Sequence, residues 1–347
     1  MVQKHIEIVR SGTSALSSMG LKSCNALLSV LKKHYAVVGV STVHSIADLE
    51  TLVARQPDLV FIGMKYLIDP ISGDKVWISA YLEEHSITHT GSPQEAIALE
   101  QEKPLAKQCA RNAGVQTSPY LVVKKGDVAD LTLTPMRFPL FVKPTGLGGG
   151  TGIDSDSIVQ TPAALHAKIE SLAANHGADA LIEEYLSGRE FSVAVLKDID
   201  SDDLMAMPLE LNPSADARGN RILSHELKSA PLETPTLPVT DTKLRSLLTK
   251  MATDAFIALG ARDYGRIDIR LDASGVPHFL EANLIPCIIE GSGNFPKACM
   301  MNLDMDYETM ILRIINLAFS RTLPPIGLEQ ENDDFIPRGS WTVLSPT

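Results

Sequence analysis

The 347 residues contain no Cys-x-x-Cys pair, no apolar run long enough to span a bilayer, no internal repeat and no excess of positive charge. Each absence excludes a class of protein. Cys24, Cys109, Cys287 and Cys299 show no Cys/His spacing of a zinc site. Cys24 and Cys109 read as small buried hydrophobes in a reducing compartment. Without a spanning run, no membrane partner is expected. Met1 to Val9, carrying Lys4 and His5, lacks the apolar stretch of a signal peptide, so the expected location is cytoplasmic. Lys plus Arg is 31 and Asp plus Glu is 42, a formal net charge of −11. Such a chain is a poor general binder of nucleic acid, and no nucleic-acid partner is expected.

What is present is ordinary globular composition, 44% hydrophobic and 21% charged, over a length that suits two or three domains. His5–Val9, Tyr35–Val40 and Asp58–Gly63 are strand-like, with helical spacing over Leu21–Lys33 and Ser45–Arg55 between them. This alternation predicts an α/β fold that starts with a parallel sheet. Val76–His85 is predicted helical, Ala96–Ala113 is predicted as one long helix ended by Gly114, and Pro162–Asn175 is a further helix. Pro119–Val123, Phe138–Val142, Ala180–Leu186 and Phe191–Leu196 are extended. Thr240–Leu259 and Asp304–Phe319 are helical, and a hairpin joins Arg266–Leu271 to Pro277–Ala282. The expected units are 1–97, 98–187, 188–320 and a Pro- and acid-rich tail, 321–347.

Four constellations carry chemistry. In the hairpin, alternation puts Glu281 and Asn283 on one face, and a tight turn brings Asp268 alongside. Two carboxylates and an amide suit hard Mg²⁺ when phosphates complete its shell. Arg266 shares the face of Asp268 and suits an anion or a developing oxyanion. The same spacing fits a salt-bridged surface hairpin equally well. Next, Gly146, Gly148, Gly149, Gly150 and Gly152 follow a strand ending in Lys143. Glycines let backbone N–H groups close over phosphates, and Lys143 adds a point charge. The loop matches neither a Walker loop nor the dinucleotide fingerprint, and a flexible surface loop is the alternative. Third, Glu183-Glu184-Tyr185-Leu186 with Glu190 offers a strand edge and acids able to read a base and a ribose, or simply a solvated acidic face. Fourth, Lys103, Lys143 and Lys228 are scattered lysines that by default lie on the surface.

In this order the set resembles the ATP-grasp superfamily, most closely the D-alanine–D-alanine ligase group, over about residues 90–300. The matching segments are Lys103; Phe141-Val142-Lys143-Pro144 with its glycine loop; Leu181 to Val193; Lys228; Gly265-Arg266-Ile267-Asp268; and Glu281-Ala282-Asn283. The resemblance implies an ATP-grasp fold with an N-terminal parallel-sheet domain. It also implies an ADP-forming carboxylate–amine ligase, in which a substrate carboxylate takes the γ-phosphate of ATP and an amine displaces phosphate from the acyl carbon. It places Lys103, Lys143, Gly148, Gly149 and Gly150 on phosphates, Glu183 at the adenine amino group, Glu184, Tyr185 and Leu186 along the base, and Glu190 at the ribose. Asp268, Glu281 and Asn283 would hold Mg²⁺, as two ions with Mn²⁺ a substitute. Arg266 would stabilise the oxyanion, Lys228 would meet the γ-phosphate, and Ser292 would bind the second substrate's carboxylate. A homodimer through the N-terminal unit is implied as well.

The substrate end departs from the family pattern. Leu16 stands where the family has a glutamate for the ammonium of the first D-alanine. Gly63-Met64-Lys65-Tyr66 replaces a His-Gly motif, and Pro286-Cys287 replaces a Pro-Gly pair. Breaking a desolvated ion pair costs roughly 3–5 kcal/mol. The expectation is therefore a ligase for other amino acids or small peptides, with Lys65 and Tyr66 as candidates for reading the acyl substrate. The alternatives are D-alanine–D-alanine ligase proper and a non-catalytic nucleotide-binding module.

Overall fold

Ile6 and Ile8, with no exposed surface, set the first element: β1 (Val2–Ser11) lies between β2 (Tyr35–Val43) and β3 (Leu59–Ile62) in a parallel sheet. A computed structural model describes residues 1–12, 19–132, 136–215, 219, 221 and 236–321. Leu16, Lys228 and nearly all of the 321–347 tail lie outside the described residues. Between the parallel strands run α1 (Leu21–His34) and α2 (Ile46–Ala54). Ser45 caps α2 by accepting from the Asp48 N–H, and Asp48 returns the bond in a capping box. A short hairpin, β4 (Tyr66–Ile68) and β5 (Lys75–Trp77), precedes α3 (Ile78–Glu84), so the helix predicted from Val76 begins two residues later.

The predicted helix Ala96–Ala113 is two helices, α4 (Gln94–Gln101) and α5 (Lys103–Asn112). Pro104 has no N–H to continue the ladder and sits in the first turn of α5, where none is needed. The break puts Lys103 at the start of α5 and Lys107 one turn further along it.

Next come β6 (Tyr120–Val123), β7 (Leu140–Pro144), β8 (Ile158–Val159), α6 (Pro162–His176) and β9 (Ala180–Glu184). The strands form a sheet in the order β6-β9-β7-β8. Its core of Val123, Leu140, Val142, Leu165, Leu172 and Ile182 is its own. Thr161 starts α6, and Gly177, at φ 61°, ends it in the left-handed conformation that glycine tolerates.

A second antiparallel sheet has the order β12 (Thr236–Pro238), β11 (Leu204–Leu211), β10 (Glu190–Lys197), β13 (Tyr264–Leu271) and β14 (Pro277–Asn283). One face packs Phe191, Val193, Ile267, Ile269 and Phe279 against α7 (Thr242–Ala258) and against Ala106 and Ala110 of α5. Thus α5, within the 98–187 segment, packs on the later sheet. The other face carries Ala194, Leu196, Met207 and Leu209 to α8 (Asn294–Leu303) and α9 (Tyr307–Ser320). Ile311, Ile314 and Ile315 of α9 share that core with Ile6, Ile8 and Phe61 of the N-terminal sheet. Full burial of each such side chain is worth about 1.5–3 kcal/mol. Among the described residues no helix is long and apolar enough to cross a membrane.

Candidate active site

The β13–β14 hairpin sets opposed functional groups through one irregularity. Arg266 pairs with Asn283 and Asp268 with Glu281, and the register then shifts so that Ile269 faces Phe279. In a regular strand Glu281 and Phe279, two residues apart, would share a face. The extra residue, Leu280, is a bulge that sends Phe279 into the core and leaves Glu281 opposite Asp268. Across β10, Ser192 stands opposite Asp268 and Glu190 opposite Arg270.

All four lone-pair positions of Asp268 are engaged. Arg266 donates from Nε to Oδ1 at 3.0 Å and from Nη2 to Oδ2 at 2.9 Å. The Ser192 hydroxyl donates to Oδ1 at 3.0 Å, and Asn283 Nδ2 to Oδ2 at 3.2 Å. The bidentate arginine fixes the carboxylate plane. Burial works against the charge on Arg266, yet Asp268 and Glu281 raise its pKa, so it stays cationic. Among the described residues no group of three His, Cys, Asp or Glu side chains is arranged to hold a metal. The set of two carboxylates and one amide still fits a hard divalent cation whose shell phosphate oxygens complete. To ligate, Asn283 must exchange its N–H for its carbonyl oxygen, a simple amide turn.

Above the hairpin lies a group of lysines. One helical turn of α5 separates Lys103 from Lys107. Lys107 Nζ is 2.6 Å from Glu183 Oε1 and donates to the Phe279 carbonyl at 3.2 Å. Lys143 Nζ, on β7, is 2.8 Å from Glu183 Oε2. Glu183 therefore bridges two buried lysines. Burial alone would raise its pKa, but Lys107 and Lys143 hold it at about 2. Burial lowers Lys107 despite that partner; for Lys143, Glu183 and Glu281 outweigh burial and raise it. Lys103 donates to the Leu147 carbonyl at 2.7 Å, lies 4.0 Å from Glu281 Oε2, and is lowered by burial.

Gly148 and Gly149 are exposed, and Gly149 and Gly150 have φ of 65° and 81°. The Leu147 bond thus ties the start of the glycine loop to α5. Glu184 accepts from the Arg137 N–H at 3.0 Å, and the Tyr185 N–H donates to Pro139 O at 3.1 Å. Leu186 is buried. Glu190 Oε2 accepts from Arg270 Nη1 at 2.9 Å.

The structure brings Lys103, Lys143, Glu183, Arg266, Asp268, Glu281 and Asn283 together. The Glu183 carboxylate is engaged by Lys107 and Lys143, because an anion buried there needs them. Of the scattered lysines, Lys103 and Lys143 are buried, not on the surface. Lys107, Ser192 and Arg270 were missed. Helical i, i+4 spacing from Lys103 marks Lys107, and strand alternation from Arg266 and Asp268 marks Arg270.

At the substrate end, Lys65 pairs with the buried Glu100, whose Oε2 accepts from the Leu284 N–H at 3.0 Å, just beyond Asn283. Tyr66 and Trp77 meet edge to face, and Lys75 Nζ lies 4.1 Å from each ring. Ser292 is half-buried before α8 and donates its N–H to Ile289 O at 3.2 Å. Cys24 and Cys299 are buried, while Cys109, expected inside, is only half-buried, as is Cys287.

A family model described as D-ala D-ala ligase C-terminus matches residues 109–316. The chain is 32% identical over 322 residues to a D-alanine–D-alanine ligase of Dechloromonas aromatica, covering 90% of this chain and 97% of that one. It is 31% identical over 282 residues to an uncharacterized protein of Sinorhizobium fredii, covering 80% of each. A solved D-alanine–D-alanine ligase from Bacillus anthracis superposes with a TM-score of 0.72 at 19% identity, covering 92% of this chain and 98% of that one. One from Coxiella burnetii gives 0.66 at 16% identity, covering 92% and 94%.

Proposed function

The chain belongs to the D-alanine–D-alanine ligase family of ATP-grasp enzymes, and from that premise we propose that it joins amino acids or small peptides other than a pair of D-alanines. It is an ATP-dependent, ADP-forming ligase that makes an amide bond with the help of a divalent metal. What supports altered substrates is the wall after β3. There Lys65, paired with Glu100, stands in a stretch where the family pattern has a His-Gly motif.

In this reading Asp268, Glu281 and Asn283 hold Mg²⁺, as two ions, with Mn²⁺ a substitute. When bound, the metal would neutralise phosphate charge. Lys103 and Lys143 meet phosphate oxygens together with the backbone of Gly148, Gly149 and Gly150. Glu183 keeps Lys143 charged and aimed. Arg266, locked by Asp268, donates to the oxyanion that forms at the acyl carbon, and being already oriented it needs no reorganisation. Glu184, Tyr185 and Leu186 line the base, Glu190 takes the ribose, and Ser292 meets the carboxylate of the amine substrate. Lys228 keeps its role over the γ-phosphate as inferred from sequence.

A phosphate-release screen of amino acids and dipeptides, singly and in pairs, with product masses, tests the reading. D-alanine alone is expected to give little release, and a mixed pair robust release. Robust turnover on D-alanine alone would establish the second reading, D-alanine–D-alanine ligase proper, which the Dechloromonas relative supports. The binding-module alternative does not survive the family assignment. The reading also includes a homodimer through the N-terminal sheet, whose β2 leaves Val37 and Val40 exposed. Light scattering at micromolar concentration is expected to give twice 37.5 kDa, and a monomer mass refutes the dimer.

A further inference from the structure

Arg270 is buried, 7% exposed, yet it is no part of the hydrophobic core. It shares the face of Arg266 and Asp268 by strand alternation. Its guanidinium joins three elements. Nη1 donates to Glu190 at 2.9 Å, and Nη2 donates to the Tyr185 hydroxyl at 3.2 Å and to the Arg221 carbonyl at 2.7 Å. The guanidinium carbon lies 5.3 Å from the centroid of the Tyr185 ring. Nε is buried and has no hydrogen-bond partner among the described residues.

A site for a polyanion must set its carboxylates against cations, as Glu183 is set against Lys107 and Lys143 and Asp268 against Arg266, and Glu190 at its edge needs the same. Glu190 is close enough for its charge to act on Lys143. Arg270 supplies the compensation and, through a forked contact, the orientation. Held in this way, Glu190 can accept from sugar hydroxyls without repelling the phosphates.

We propose that Arg270 is a positioning and specificity-determining residue that aims Glu190 at the ribose hydroxyls and so sets the preference for ribonucleotide over 2′-deoxyribonucleotide. The proposal rests on the reading of Glu190 as the ribose contact.

Dissociation constants for ATP and 2′-deoxyATP, measured by calorimetry with Mg²⁺ on the full chain, test it. The readout is their ratio, which a loss of folded fraction does not move. A hydrogen bond to a charged group corresponds to roughly a 10–100-fold preference in the wild type. Glu190→Gln and Arg270→Met are both expected to bring the ratio close to one. Arg270→Lys keeps the charge without the fork and is expected to fall between, and it carries the test if Arg270→Met does not fold. Loss of preference in Glu190→Gln with an unchanged ratio in the Arg270 variants overturns the proposal and leaves the ribose assignment standing. An unchanged ratio in Glu190→Gln refutes the ribose assignment itself.

Discussion

Replacing Glu281 by glutamine is expected to lower ATP-driven phosphate release by roughly a hundredfold or more, the scale of losing one charged stabiliser of a phosphoryl-transfer site. Thermal stability should fall less than in Asp268→Asn, because Glu281 lies 4.0 Å from Lys103 and supports the buried cations Lys143 and Arg266, whereas Asp268 holds Arg266 through a bidentate pair. Asp268→Asn should be inactive too, but for two reasons. It removes a metal ligand, and it leaves Arg266, with a side chain only 16% exposed, without its carboxylate. Breaking such a pair costs about 3–5 kcal/mol. Melting curves beside steady-state release separate the pair: an inactive Glu281→Gln and an inactive, more strongly destabilised Asp268→Asn. Wild-type turnover in an Asp268→Ala/Glu281→Ala double variant would overturn the metal assignment.

Glu183→Gln is expected to be the most damaging single exchange in the nucleotide half. It strands Lys107 and Lys143, both buried, without the anion between them, at about 3–5 kcal/mol. Lys107→Met removes a buried cation and leaves the Glu183–Lys143 pair, so its cost should be smaller. The pH dependence has a definite sign. Glu183 falls from its ordinary 4.5 to about 2 in the folded protein. Its stabilisation is therefore fully present above 4.5 and is lost as pH falls toward 2. Denaturant unfolding of wild type and variant from pH 3 to 7 should show a constant gap above about pH 5 that narrows below it. A gap that is flat to pH 3 would show that the ion bridge does not stabilise the fold.

Much of this was legible in the sequence where one local rule decides the outcome. Alternating apolar runs marked β1, β2 and β3, and Asp272 to Gly275 marked the turn that sets Asp268 opposite Glu281. The misses have physical causes. β11 was not read as a strand because Pro208 has no N–H for a ladder. It is tolerated because β12 pairs only Leu209 to Leu211, leaving Pro208 at an open edge. The helix α8 was missed because Pro296 interrupts its pattern, yet in a first turn proline costs nothing. The ion pairing of Glu183 was not legible because its partners, Lys107 and Lys143, stand 76 and 40 positions away. Pattern along the chain carries no record of such long-range pairing. The bulge at Leu280 is likewise invisible to strand alternation, although alternation alone would have pulled Phe279 toward the site.

The core shared by α9 and the N-terminal sheet also governs the order in which the protein is made. Ile6, Ile8 and Phe61 emerge from the ribosome long before Ile311, Ile314 and Ile315, the side chains that cover them. Residue 97 is thus a boundary in the sequence pattern but not in biosynthesis. The first sheet must wait, partly uncovered, until α9 has been translated, and over that interval its apolar face is a target for a chaperone.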